Sequence, residues 1–231
     1  MTKLTNYNQK RLALSSERRI HTAMIKHWLL FFGIPTIFTT YLFAQIEAPK
    51  PVTALQALRI AQGVINNPDA RDTIAYIYGP RATTTLEPAT WEILFFDAQA
   101  RHNCRRVKVD GNKVVQLVDK IPQWLMIYQK RILPLSEKEV IPAHMIRVDS
   151  NQALQTVLRT GALQRIALSS VIFVLKRDRE IRRPIWELEV YADRRGREVS
   201  VGYGYVAADN GELLNIDFKI ERVLGRTQRK E

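Results

Sequence analysis

The 231-residue sequence has very few of the residues on which metal and nucleophilic sites depend. It contains one cysteine, Cys104, and four histidines. A single cysteine excludes an intramolecular disulfide bond and a zinc site built from several cysteines. The sequence also lacks a glycine-rich phosphate loop, an HExxH motif and a Gly-x-Ser-x-Gly motif. We therefore predict that the protein is not an enzyme, with no catalytic residues, no metal site and no cofactor.

The remaining candidates for nucleophilic chemistry are isolated side chains. His102 and Cys104 stand two residues apart in a polar stretch, but side chains at this spacing on an extended segment do not meet productively. Cys104 is instead expected to be an unpaired thiol on or near a turn, with a reactive or intermolecular role as the alternative. His144 is expected to be a partly buried structural residue.

The chain is strongly basic, with 35 Lys and Arg against 23 Asp and Glu and a net charge of +12. Acidic residues interleave with the basic ones throughout, so we do not expect a nucleic-acid partner. Three basic clusters fall at predicted hairpin ends and are expected to lie near each other at one edge of a sheet. Their role is either solubility and turn formation, or contact with anionic lipid headgroups or an acidic partner. The clusters are RHNCRR (101–106), KRDREIRR (176–183) and DRRGRE (193–198), and a basic tail covers 218–231.

The first fifty residues have the pattern of an export signal. Residues 28–43 form an uncharged, largely apolar run that follows basic residues and precedes the small residue Ala44. This pattern predicts a signal peptide over residues 1–44, followed by a linker at 45–52. The alternatives are an uncleaved membrane anchor over 28–48 and a buried helix of a soluble protein. With a signal or an anchor, the rest of the chain is extracytoplasmic, either periplasmic or secreted.

After the linker, one order of elements occurs twice. Thr53 and Gln56 have capping-box spacing ahead of a helical pattern that ends at Asn67-Pro68, and Asp149 and Gln152 repeat that spacing ahead of a second helix. Alternating, strand-like segments follow each helix, and an Asp-Gly or Asn-Gly turn breaks the last segment of each half. These segments are 72–78, 91–97 and 105–117 in the first half, and 168–178, 185–193 and 198–216 in the second.

A repeated Trp-Glu pair marks one strand in each half. WEILFF begins at Trp91, and WELEVY begins about 95 residues later at Trp186, which favours a duplication. Alternation places the tryptophans on a face covered by the helix and puts Glu92, Glu187 and Glu189 on the other face. These carboxylates are expected to pair with nearby basic residues on the solvent side rather than to act as an acid–base pair.

The second half resembles the PepSY domain. The residues that carry the resemblance are Ala153-Leu154 in the helix, Trp186 to Val190 in the central strand, and the closing run DNGELL at 209–214. The first half matches less closely, through Ala57-Leu58, Trp91-Glu92-Ile93 and DGNKVV at 110–115. The resemblance implies an α+β fold of two cystatin-like units, each a helix packed on an antiparallel sheet. It also implies an exported protein that binds or restrains partners.

The predicted organisation is a first unit at 53–117, a connector at 118–148 and a second unit at 149–217. Within the connector, residues 123–133 are predicted to be helical and 136–140 to form a capped segment.

Three functional hypotheses remain after the sequence analysis. The first is an exported, non-enzymatic binding module with a protein partner in the cell envelope. The alternative is a membrane-anchored accessory or structural subunit of an envelope complex, or a regulator of an exported peptidase. The aromatic residues of the second half either form a recognition face or serve as cross-strand packing. They are Trp186, Tyr191, Tyr203 and Tyr205.

Overall fold

A computed structural model describes residues 51–82, 85–120, 122 and 136–224. The predicted signal or anchor, most of the linker, the helix at 123–133 and the tail beyond 224 lie outside the described residues. All described residues belong to one compact unit. Within this part of the chain, no helix is both long enough and apolar enough to cross a membrane.

The described chain forms an α+β fold with a nine-stranded antiparallel sheet, which confirms the predicted α+β class and the antiparallel pairing of its strands. The helices are α1 (Ala54–Gln62), α2 (Pro68–Arg71), α3 (Ser150–Leu158) and α4 (Glu221–Leu224). The strands are β1 (Thr73–Gly79), β2 (Thr90–Phe96), β3 (Cys104–Asp110), β4 (Lys113–Val118), β5 (Ile141–Pro142), β6 (Leu168–Arg177), β7 (Pro184–Arg194), β8 (Arg197–Ala207) and β9 (Leu213–Phe218). Single 3-10 turns cover Arg101–Asn103, Glu137–Glu139 and Ala143–Met145.

The two halves share one continuous sheet. Its strand order is β4-β3-β2-β1-β6-β7-β8-β9, and β5 pairs with the beginning of β1. The first strands of the two halves, β1 and β6, pair antiparallel, with Tyr78 opposite Val174. On both sides of this central pair the strands run outward in chain order. The sheet therefore has the arrangement of two four-stranded halves related by an approximate two-fold axis at the β1–β6 pair.

Both long helices begin at the capping boxes that the sequence predicts. The Thr53 hydroxyl accepts a hydrogen bond from the Gln56 amide, and the Asp149 amide donates to the Gln152 side chain at 3.0 Å. Each helix also ends earlier than its sequence pattern suggests. The sequence pattern predicts that α1 ends at Pro68. In the structure Pro68 instead lies in the first turn of α2, and Asn67 is the N-cap of that helix.

The two helix N-termini meet near the approximate two-fold axis. The Ala54 amide of α1 donates to Ser150 Oγ at 3.1 Å, across 96 residues of sequence. The Leu55 amide donates to Asp149 Oδ1 at 3.0 Å. Asp149 thus accepts from the first turn of both helices, which satisfies amides that have no partner within α1 and places a negative charge beside two helix N-termini.

The centre of the core is an aromatic cluster beneath the helices. Trp91 and Trp186 are fully buried, and both contact Phe173, with ring centroids 5.8 and 6.4 Å from it. Trp91 Nε1 donates to the Val52 carbonyl at 2.7 Å, and Trp186 Nε1 donates to the Val148 carbonyl at 2.8 Å. Each valine directly precedes a helix N-cap. The prediction that both tryptophans are core residues is therefore confirmed, and each indole also fixes the start of its helix.

Candidate functional site

The face of the sheet opposite the helices carries three tyrosines in the second half. Tyr191 lies in β7 and Tyr203 and Tyr205 lie in β8, all half-buried. They share this face with Glu187 and Glu189, because Glu189 pairs with Tyr203 and Glu187 pairs with Tyr205 across the two strands. We refer to these five residues as the tyrosine face. Trp186 is not part of it, since strand alternation places its ring on the helix side.

The tyrosine face is organised around Glu189. Ser200 Oγ donates to Glu189 Oε1 at 2.9 Å, and the same carboxylate raises the pKa of the neighbouring Tyr191 and Tyr203 phenols. The rings of Tyr203 and Tyr205 stack with centroids 6.3 Å apart and an interplanar angle of 23°. The hydrogen bond from Ser200 holds the Glu189 carboxylate in one orientation beside the tyrosines.

Burial and nearby carboxylates keep the three phenols protonated. Burial, with the charge of Glu189, raises the pKa of Tyr203 to about 12. The pKa of Tyr205 is raised by burial and by the charge of Glu187, and that of Tyr191 by burial and by the neighbouring carboxylate of Glu189. At neutral pH the face therefore presents hydroxyl donors and aromatic rings rather than a phenolate nucleophile.

One cation of the first half already occupies part of this face. The guanidinium of Arg81 lies 4.6 Å from the ring centroid of Tyr191, a cation–π contact. Arg81 Nη1 also pairs with Glu198 Oε2 at 3.0 Å, and Ser170 Oγ donates to the other Glu198 oxygen at 2.8 Å. The loop after β1 is thereby connected to β8. No local sequence pattern marks Arg81, Ser170 or Ser200, since their partners are far away in the chain.

Two of the three strand carboxylates, Glu92 and Glu187, pair with basic residues as expected, whereas Glu189 accepts from Ser200. Arg106 Nη1 lies 3.6 Å from Glu92 Oε2, and Lys176 Nζ pairs with Glu187. Both carboxylates are only 17% exposed, so the pairs lie within the side-chain layer of the sheet rather than in open solvent.

The basic clusters do not gather at one edge of the sheet, and this expectation is wrong. The 101–106 cluster lies at the β2–β3 connection and the 176–183 cluster at the β6–β7 hairpin, which share one end of the strands. The 193–198 cluster lies at the β7–β8 hairpin, at the opposite end of the 11-residue strand β7. Consecutive antiparallel hairpins alternate between the two ends of a sheet, which explains the separation.

Cys104 and the two described histidines do not form a catalytic arrangement. Cys104 begins β3 and is fully buried, and burial raises the pKa of its thiol to about 12. His102 lies in the preceding 3-10 turn with a φ of 61°. His144 is exposed, which corrects the expectation that it is partly buried. A search of the described residues finds no group of three or more His, Cys, Asp or Glu that could hold a metal ion.

Cys104 is predicted to be chemically inert in the folded protein. Modification requires a thiolate and access, and burial suppresses both. We expect iodoacetamide to label native Cys104 on the order of 100-fold more slowly than the urea-unfolded chain, because labelling then depends on opening of the fold. A control variant combining Ala98→Cys, an exposed position, with Cys104→Ala should label rapidly while folded. The extent of labelling is measured by mass spectrometry. Equal labelling rates for native Cys104 and this control would contradict the prediction.

Comparison with known proteins adds no further assignment. No protein family, no curated protein and no solved structure matches this chain.

Proposed function

We propose that this protein is an exported, non-enzymatic binding module built from two PepSY-like units, and that it binds a protein of the cell envelope through the tyrosine face. The observation that carries the proposal is the stacked pair Tyr203–Tyr205 beside Glu187 and Glu189 on the side of the sheet opposite the helices. Tyrosine supplies a large contact area and a polar tip at a low entropic cost, and protein interfaces are enriched in it.

The two-unit interpretation is supported by features that recur in both halves. Each half has a capped helix followed by four antiparallel strands, and each has a buried tryptophan that donates to the residue before its helix N-cap. Such a scaffold fixes the backbone of β7 and β8 from the helix side. The tyrosine face therefore has little freedom to lose when a partner binds, which favours recognition over a rigid surface.

The chemical state of the face favours binding over catalysis. Glu189 accepts from Ser200, Glu187 pairs with Lys176, and the phenols are protonated. The carboxylates are thus engaged in holding the surface, while ring faces and hydroxyl groups are presented to a partner.

The test is a comparison of affinities for one partner. A protein retained from an envelope extract by the full chain is purified, and its Kd is measured for the wild type and for Tyr203→Ala/Tyr205→Ala. We expect the double variant to bind about tenfold or more weakly, as for removal of aromatic hot-spot residues. Val115→Ala/Leu117→Ala, on the exposed edge strand β4, serves as the control and should bind within about twofold of wild type.

Two outcomes would contradict the proposal. One is equal binding by the double tyrosine variant and the wild type, once circular dichroism has shown that both are folded. The other is turnover of a peptide or ester substrate that a point substitution abolishes. The anchored alternative is distinguished by mass spectrometry of the N-terminus, because a chain that begins near Gln45 has lost residues 28–43.

A further inference from the structure

A second concave surface lies at the β6–β7 hairpin, apart from the tyrosine face. It is a surface cavity of about 560 Å³ between this hairpin and the capped segment that begins at Ser136. That volume is within the range typical of small-molecule sites. Among the described residues, its lining includes four cationic side chains and two carboxylates, a net charge of +2. They are Lys138, Arg177, Arg179 and Arg182, with Glu139 and Asp178. We refer to this surface as the basic cavity.

Both carboxylates of the basic cavity are engaged in holding the backbone. Glu139 Oε2 accepts from the Ser136 amide at 3.2 Å, and its other oxygen pairs with Arg179 at 3.2 Å. Asp178 Oδ1 accepts from the Glu180 amide at 2.8 Å and from the Ile181 amide at 3.0 Å, which closes the hairpin turn. Arg179 is thus the lining cation that these bonds pair with a carboxylate.

The central cation is fixed in position by backbone carbonyls. Arg177 Nη1 donates to the Val140 carbonyl at 3.1 Å, and its Nε donates to the Arg182 carbonyl at 3.2 Å. These bonds orient the guanidinium and leave its Nη2 without a partner among the described residues. A guanidinium held in one orientation loses little entropy when it binds a planar or tetrahedral oxyanion.

Two further cations have no bonded partner in the described part of the chain. Lys138 and Arg182 are exposed, and their side chains make no ion pair or hydrogen bond there. Arg182 also has a φ of 57°, in the left-handed region that a non-glycine residue seldom adopts. The hairpin thus holds Arg182 beside Arg177 in spite of backbone strain and like charge.

We propose that the basic cavity binds a phosphate monoester dianion. Its charge of about −2 at neutral pH matches the net charge of the lining, and its oxygens suit guanidinium and ammonium donors. Free phosphorylated small molecules and phosphomonoester lipid headgroups offer this same chemistry. The proposal does not depend on the tyrosine face, since none of the cavity residues belongs to it.

The experiment compares two hairpin arginines at opposite ends of β7. Binding of inorganic phosphate to the full chain is measured by isothermal titration at constant ionic strength, for the wild type, Arg182→Gln and Arg195→Gln. Arg195 is the matched control because it is exposed, lies in a hairpin turn and has a φ of 55°. We expect Arg182→Gln to weaken phosphate binding about fivefold or more and Arg195→Gln to leave it within about twofold. Lys138→Gln, outside the hairpin, should weaken binding in the same direction.

Vesicles identify the source of the phosphate group. Cosedimentation is measured with phosphatidic acid, a phosphomonoester lipid, and with phosphatidylglycerol, a phosphodiester lipid. If Arg182→Gln selectively reduces binding to phosphatidic acid, the proposal is supported with a lipid headgroup as ligand. If it weakens only binding of free phosphate, the proposal is supported with a soluble ligand. Equal losses in Arg182→Gln and Arg195→Gln, or no saturable binding to any of these probes, would overturn it.

Discussion

Replacing Trp186 by alanine is expected to lower the free energy of unfolding by about 3–5 kcal/mol, as for other large aromatic truncations in cores. The side chain is fully buried and contacts Trp91 at a centroid distance of 6.5 Å and Phe173 at 6.4 Å. Its removal also leaves the Val148 carbonyl without the indole donor, 2.8 Å away in the wild type. A loss of this size is a large part of the stability of an ordinary domain.

A milder variant keeps this prediction measurable if Trp186→Ala does not fold. Trp186→Phe retains most of the apolar contact but removes the donor to Val148, so we expect it to cost about 1–3 kcal/mol. Both variants are compared with wild type by urea denaturation. Glu187→Gln changes the adjacent residue on the opposite face and should cost about 1 kcal/mol, since glutamine keeps the side-chain volume and an oxygen that can accept from Lys176. An equal loss in Glu187→Gln and Trp186→Ala would contradict this account of the core.

Gly79→Ala is expected to destabilise the protein by about 1–3 kcal/mol, because it adds a methyl group where there is no space. A Cβ atom at Gly79 would lie 2.6 Å from Cζ3 of the Trp91 ring and 2.7 Å from Cγ of Pro88. Gly79 belongs to β1 and pairs with Phe173 of β6, so the indole fills the space above the strands that join the two halves.

The control for Gly79→Ala is Gly196→Asn in the β7–β8 turn. A Cβ atom there has no neighbour within 4 Å, and asparagine tolerates the φ of 77° better than most residues, so the change should be within about 0.5 kcal/mol. In a Trp91→Phe background the clashing outer ring of the indole is absent. We therefore expect the cost of Gly79→Ala to fall, which a double-mutant cycle measured by thermal unfolding detects. An unchanged cost in that background would show that Trp91 is not what excludes the methyl group.

Local patterns predicted most of the individual elements correctly. The capping boxes at Thr53 and Asp149 located both long helices, and strand alternation placed Trp186 and Glu187 on opposite faces of β7. These features depend on neighbours three residues apart or fewer, so a short stretch of sequence contains the necessary information.

The features that the sequence did not predict depend on distant pairs. The antiparallel pairing of β1 with β6 joins residues about one hundred positions apart, and no local pattern specifies it. The same holds for Asp149 at the first turn of α1 and for Arg81 over Tyr191. At the candidate site, the tyrosines were visible in the sequence, whereas the Ser200–Glu189 hydrogen bond required the register of β7 against β8.

The most direct test of the proposed function is photo-crosslinking from the two faces of the second half. A photo-reactive phenylalanine analogue is placed at Tyr203 on the tyrosine face or at Gln155, an exposed position of α3 on the helix side. The proposal predicts a discrete crosslinked envelope protein from position 203, not from 155, and its loss when Tyr205→Ala is added. A partner that crosslinks from position 155 alone, or equally from both positions, would contradict recognition through the tyrosine face.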